Sequence, residues 1–205
     1  MNLPELVIVC ALSMQAAMTA KSPSGFHWDW QNSQSLRPAQ SLRNAKISEN
    51  DRAAIAVVLD AQIRPDMADY GIESESQLKD DVVSTRIAMI DLNGDGTPEI
   101  VAQAMVACGA SGNCPFWIFQ KRSGGYKLLL EDSAETFTIQ KTRTKDYSDI
   151  VLSLHDSLFE QSLELYHFAG GQYKDAGCYN AIIAVMKDDG VHKLAEPQVT
   201  PCAKQ

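Results

Sequence analysis

Apolar positions recur at helical spacing through residues 48–63, where Ile55, Val58, Leu59 and Ile63 fall on one face. Ser48 can cap this helix, with Asp51 three residues on in a capping-box-like position and acidic residues filling the first turn. Pro65 ends it, since proline has no N–H to donate and its ring clashes with the preceding turn. A second short helix is expected over 65–70 and another helical turn over 74–81. From residue 85 the pattern changes to that of strands. Segments 86–91, 99–106, 115–121, 126–131, 136–142, 149–154 and 163–168 read as short strands parted by turn residues such as Ser123-Gly124-Gly125 and Gly170-Gly171. The apolar run 181–186 is expected in the core. Together these elements predict an α+β fold, with an N-terminal helix or helices followed by an antiparallel β meander, in a single domain over 48–205.

Two segments precede that domain. Residues 1–20 carry the apolar run Leu6-Val7-Ile8-Val9-Cys10-Ala11-Leu12 and then the small residues Ala16, Ala17 and Ala20. This reads as a secretory signal peptide, although Glu5 stands where a positive charge is usual. The run is shorter than the roughly 20 apolar residues a membrane-spanning helix needs. Val9 stands before Cys10, where lipid-modified cysteines resemble a small-residue pattern, so lipidation of Cys10 is not expected. Residues 21–47 are polar and irregular, as in a flexible tether. Their Phe26-His27-Trp28-Asp29-Trp30 cluster is expected to dock on the domain, because exposed tryptophan is normally avoided.

Composition narrows the class. Hydrophobic residues are 45% and charged residues 21% of the 205, enough to bury a real core. A net charge of -8 argues against nucleic acid, whose phosphates demand a basic face. Without Cys10, four cysteines remain: Cys108, Cys114, Cys178 and Cys202. An even number suits a disulfide framework and therefore an oxidising compartment, either periplasmic or secreted. Of the three possible pairings, sequence neighbours are the simplest: Cys108 with Cys114, and Cys178 with Cys202. Zinc is the weaker rival, because the spacing from Cys108 to Cys114 is long for a zinc knuckle and no histidine follows closely.

The sharpest motif is Asp91-Leu92-Asn93-Gly94-Asp95-Gly96-Thr97-Pro98-Glu99. Alternation brings the oxygens of Asp91, Asn93 and Asp95 toward one centre, and Gly96 permits the sharp turn. Thr97 offers a backbone carbonyl, and Glu99 can close the shell directly or through water. Calcium takes 6–8 such oxygens at about 2.3–2.6 Å. The stretch resembles the D-x-[DN]-x-D-G loop of EF-hands, dockerins and FG-GAP or VCBS repeats. It departs from the EF-hand at its twelfth position, which is Ala102, and in having strand-like flanks. The likeness is thus to the strand-loop-strand form that uses the ninth position, here Glu99. The loop followed by Cys108-Gly109-x-x-Gly112-x-Cys114 is also similar to exported bacterial proteins of unknown function, a resemblance that implies location and fold and no activity.

The sequence holds no recognisable catalytic constellation: no G-x-S-x-G, no H-E-x-x-H and no phosphate-cradling loop. His155-Asp156-Ser157 reads as a solvated turn, and His167, between Tyr166 and Phe168, as a strand histidine. The expected function is an exported, non-enzymatic calcium-binding module that binds another protein or an envelope polymer, with no transmembrane segment in the mature chain. The alternatives are a small secreted hydrolase using the calcium loop as scaffold, or an inhibitor or immunity-type protein.

Overall fold

The computed structural model describes residues 26–34 and 39–202. The expected leader lies outside the described residues. The chain begins with a 3-10 turn (Trp30–Asn32), β1 (Ser33–Gln34), β2 (Gln40–Ser41) and a second 3-10 turn (Leu42–Asn44). Helices α1 (Glu49–Ile63) and α2 (Glu75–Ser84) follow, separated by a 3-10 turn at Arg64–Asp66. Nine strands complete the fold: β3 (Arg86–Ile90), β4 (Glu99–Gln103), β5 (Cys114–Arg122), β6 (Gly125–Ala134), β7 (Thr136–Thr144), β8 (Tyr147–His155), β9 (Glu160–Ala169), β10 (Gln172–Lys187) and β11 (Gly190–Pro201).

Both helix starts are capped by serine. Ser48 Oγ accepts the Asp51 N–H at 3.1 Å and donates to Asp51 Oδ2 at 2.8 Å, while Ser74 Oγ accepts the Gln77 N–H at 3.2 Å. The helix expected over 65–70 is instead the single 3-10 turn Arg64–Asp66, with Pro65 as its second residue. The turn expected over 74–81 is a ten-residue helix that buries Leu78 and Val82.

The protein is mostly β, with its helices N-terminal to the longer strands, and α+β describes it only coarsely. The expected meander is two antiparallel meanders. One sheet runs β2-β3-β4-β5-β6 and the other β1-β7-β8-β9-β10-β11, the chain passing between them at Glu135. Both faces of the first sheet are covered. Toward the second sheet it packs Val101, Phe116, Ile118 and Leu130 against Phe137, Ile150, Leu152, Tyr166 and Phe168. On its other face Ile100, Ala102, Trp117 and Phe119 meet Leu59, Ile63 and Leu78 of the helices. All five residues of β4 are therefore buried, and its centre, Ile100-Val101-Ala102, is apolar on both faces. The run 181–186, expected in the core, is only half buried. Ala181 and Ala184 are buried, whereas Ile182 and Met186 are 37% and 65% exposed; the register shift between Ile182 and Ala184 breaks the strand alternation there.

Packing begins before residue 48. β2 pairs with β3, Leu42 is fully buried, and the Arg52 guanidinium binds the carbonyls of Leu42, Arg43 and Ala45. Further upstream, Trp28 is buried against Val151, Leu163 and Leu165 on the outer face of the second sheet, and its Nε1 donates to Thr138 Oγ1 at 3.1 Å. Phe26 stacks on Tyr179 with ring centroids 4.0 Å apart. The aromatic cluster thus straps a layer of its own across that sheet. At the other end, β11 pairs along β10 as an edge strand, a position that tolerates Pro197 and Pro201. Two cysteine pairs stand at disulfide distance, Cys108–Cys114 and Cys178–Cys202, with Cα atoms 3.9 and 5.4 Å apart. These are the neighbour pairings expected from the sequence. Among the described residues no helix is long and apolar enough to cross a membrane.

One acidic contact joins the sheets. The Tyr166 hydroxyl of β9 reaches Asp132 of β6 and also Glu164 at 2.8 Å. Its single proton satisfies one carboxylate, so a proton on the other completes the arrangement. Burial pushes the Glu164 carboxyl above its ordinary value, with the nearby Asp132 and Asp175 charges adding to the rise and the Tyr166 hydroxyl opposing it.

Two outcomes follow from this packing. Trp28→Ala should cost about 3 kcal/mol in urea unfolding; an unchanged midpoint would show that the strap contributes nothing. A carboxyl with a raised folded pKa binds protons more tightly in the native state, so its contribution is complete below the unfolded value of 4.5 and is lost as pH climbs through the folded one. Glu164→Gln should therefore be at least as stable as the wild type at pH 7 and show no such gain at about pH 4, read from urea midpoints at the two pH values. A gain of equal size at both would contradict the assignment.

Candidate functional site

The loop of residues 91–98 joins β3 to β4, and the Ile90–Glu99 strand pair closes its base. Its conformation is set by its own polar side chains. The Asp91 carboxylate accepts the Gly94 N–H at 2.7 Å through Oδ1 and the Gly96 N–H at 3.0 Å through Oδ2. Asn93 Oδ1 accepts the Asp95 N–H at 2.9 Å, and Asp95 Oδ1 accepts the Thr97 N–H at 2.6 Å. Gly94 and Gly96 take φ of 76° and 83°, the left-handed region where a side chain is strained. The Thr97 N–H, helped by Asn93, holds the Asp95 carboxyl below the usual carboxylate range.

Beneath the loop lies a polar knot. Glu99 is 1% exposed, on the face of β4 that meets the second sheet. Its Oε2 accepts the Leu92 N–H at 2.9 Å, and its Oε1 accepts from Gln120 Nε2 at 3.2 Å and Asn93 Nδ2 at 3.4 Å. Burial pushes this carboxyl up, against the pull of the Leu92 N–H. The Tyr147 hydroxyl of β8 accepts from Asn93 Nδ2 at 3.2 Å and from Gln120 Nε2. From β7, Arg143 Nη2 donates to the Leu92 carbonyl at 3.1 Å and packs 3.4 Å from where a Gly94 Cβ would stand. The Ser148 N–H shares that carbonyl at 2.8 Å.

The five expected ligands thus occupy two levels. Asp91, Asp95 and Thr97 are exposed at the tip, Asn93 is intermediate, and Glu99 is buried below. Among the described residues no three His, Cys, Asp or Glu side chains are grouped closely enough to hold a metal ion. Between the levels sits the Asn93 amide nitrogen, 2.9 Å from Asp95 Oδ2 and 3.4 Å from Glu99 Oε1. Its N–H groups place partial positive charge between two carboxylates. The oxygens are hard ones of the kind calcium selects, and convergence on one centre requires the Asn93 side chain to turn.

Other sequence candidates do not assemble. Ser157 Oγ accepts the Phe159 and Glu160 N–H groups, Asp156 accepts from Ser162, and His155 Nδ1 faces Glu135 at 3.8 Å, so the three neighbours serve three separate contacts. His192 pairs with Asp189 at 2.6 Å. The braces Gln120, Arg143 and Tyr147 have no signal in the sequence around the loop, because they lie 20 to 50 residues further on. Comparisons with family models, curated proteins and solved structures give no match for this chain.

Tyr147→Phe removes the hydroxyl at the centre of the knot and leaves one N–H of the buried Gln120 amide without an acceptor. It should lower stability by about 1–2 kcal/mol in urea unfolding. A variant as stable as the wild type would mean that the knot does not hold the loop to the second sheet.

Proposed function

We propose that the protein is an exported calcium-binding module without catalytic activity, in which the ion stiffens the 91–99 loop on a β scaffold that binds another protein or an envelope polymer. The observation that carries this reading is the self-ordered loop. Asp91, Asn93 and Asp95 each hold a backbone N–H of the turn, so their free lone pairs are already confined to a small volume. Asp91, Asn93, Asp95, the Thr97 carbonyl and Glu99 would hold the ion. Its positive charge would take over the role now filled by the Asn93 amide between Asp95 and Glu99. Three carboxylates outweigh the two charges of calcium. The two cysteine pairs at disulfide distance support export, since such bonds persist in oxidising compartments.

A site lacking a bidentate twelfth ligand belongs at the weak end of the calcium range, about 10⁻⁴–10⁻³ M. At calcium five times Kd, the linked gain in stability is about 1 kcal/mol, or roughly 2–4 °C in melting temperature for a chain of this size. Thermal unfolding in calcium and in chelator should differ by that amount, and Asp95→Ala should abolish the difference. Coincident melting curves for the wild type would reject the calcium site.

A further inference from the structure

The outer face of the second sheet holds a second site, separate from the calcium loop. β7 and β8 fall out of register between the Ile139–Ile150 and Arg143–Ser148 pairs, so that residues 140–142 lie opposite residue 149 alone. Such bulges re-aim side chains. Beside this bulge, Gln140, Thr142 and Asp149 line a cavity of about 370 Å³ whose remaining wall includes Phe26, His167 and Tyr179. The N-terminal strap forms its roof.

Two polar atoms of residues lining this cavity have no partner. Asp149 is 3% exposed; its Oδ2 stands 3.7 Å from His167 Nε2, and its Oδ1 accepts no hydrogen bond. Gln140 is 6% exposed; its Oε1 accepts the Asp29 N–H at 3.3 Å, which fixes the amide orientation, and its Nε2 donates to nothing. Leaving such groups unpaired costs about 1–3 kcal/mol each. The lining residues therefore carry one acceptor and one donor that are unpartnered and nearly closed to solvent, beside aromatic carbon.

We propose that this cavity is a binding site for a neutral saccharide. A sugar offers adjacent groups that donate to Asp149 Oδ1 and accept from Gln140 Nε2, together with C–H surface for the Phe26–Tyr179 pair. Vicinal hydroxyls or an acetamido group supply that donor and acceptor equally well. An ammonium or guanidinium ligand would satisfy Asp149 but bring further donors to Gln140. An anion would satisfy Gln140 and be repelled by Asp149. The volume, at the low end of the range for small-molecule pockets, suits one or two sugar rings.

Binding is tested by NMR titration of the disulfide-intact protein in chelator, so that the calcium site plays no part. The probes are triacetylchitotriose, which carries acetamido groups, and cellotriose, which carries hydroxyls alone. Saturable shifts confined to the surroundings of Gln140, Thr142, Asp149 and His167 with either probe support the site. Gln140→Ala should weaken binding about tenfold, the worth of one buried hydrogen bond. Thr142→Trp, at an exposed position on the rim, should block the cavity without disturbing its buried groups. Absence of saturable shifts with both probes would overturn the proposal, as would binding that survives Thr142→Trp at wild-type affinity. A cavity that holds only water bridging Asp149 to Gln140 would give the first of these results.

Discussion

Glu99 places a carboxylate between two sheets, where water cannot reach it, and the surrounding structure is arranged to satisfy it. An unpaired charge in such a place would be strongly destabilising. Its two oxygens are met by the Leu92 backbone, the Gln120 amide and the Asn93 amide, drawn from the loop and from β5. Gln120 and Asn93 in turn share the Tyr147 hydroxyl of the second sheet. One buried group thereby links a surface loop, the first sheet and the second. The loop cannot drift from the scaffold without breaking hydrogen bonds in a low-dielectric interior, where each is worth more than at the surface.

The β7–β8 hairpin joins the two candidate sites. The Arg143 guanidinium and the Ser148 backbone N–H hold the Leu92 carbonyl of the 91–99 loop. Their neighbours Thr142 and Asp149 face the opposite side of the sheet and line the outer cavity. Strand alternation accounts for this, since successive side chains point to opposite faces. The N-terminal strap completes the second site. A segment rich in aromatics and otherwise polar acquires fixed structure because Trp28 has both an apolar bed and a hydrogen-bond acceptor in Thr138.

Much of this was legible in the sequence, and its local chemistry explains why. The Ser48 cap with Asp51, the turn-making glycine pairs and the alternating oxygens of residues 91–95 all act within a few residues of themselves. The docking of Phe26–Trp30 was legible too, because two tryptophans need cover. What could not be read is long-range. Division of the meander into two sheets depends on which face each strand buries, and β4 and β5, apolar on both faces, carry no alternation to show it. β11 was missed because its prolines argue against a strand and its apolar content is low; it is an edge strand clamped near its end by Cys202. The motif named Glu99 but gave no sign that it lies buried beneath the loop, since burial cannot be deduced from a motif. Gln140, Asp149 and Tyr147 are polar residues in strands, and only the packing of distant elements gives them a role.

We propose that the 91–99 loop is an ion site held ready by a buried carboxylate, with the Asn93 amide standing where the cation's charge belongs. A crystal structure of the protein grown in millimolar calcium tests it most directly. An ion is expected at about 2.3–2.6 Å from the oxygens of Asp91, Asn93 and Asp95, with the Asn93 amide nitrogen turned away from Asp95 and Glu99. A loop free of the ion, with Asn93 still bridging the two carboxylates, would contradict it.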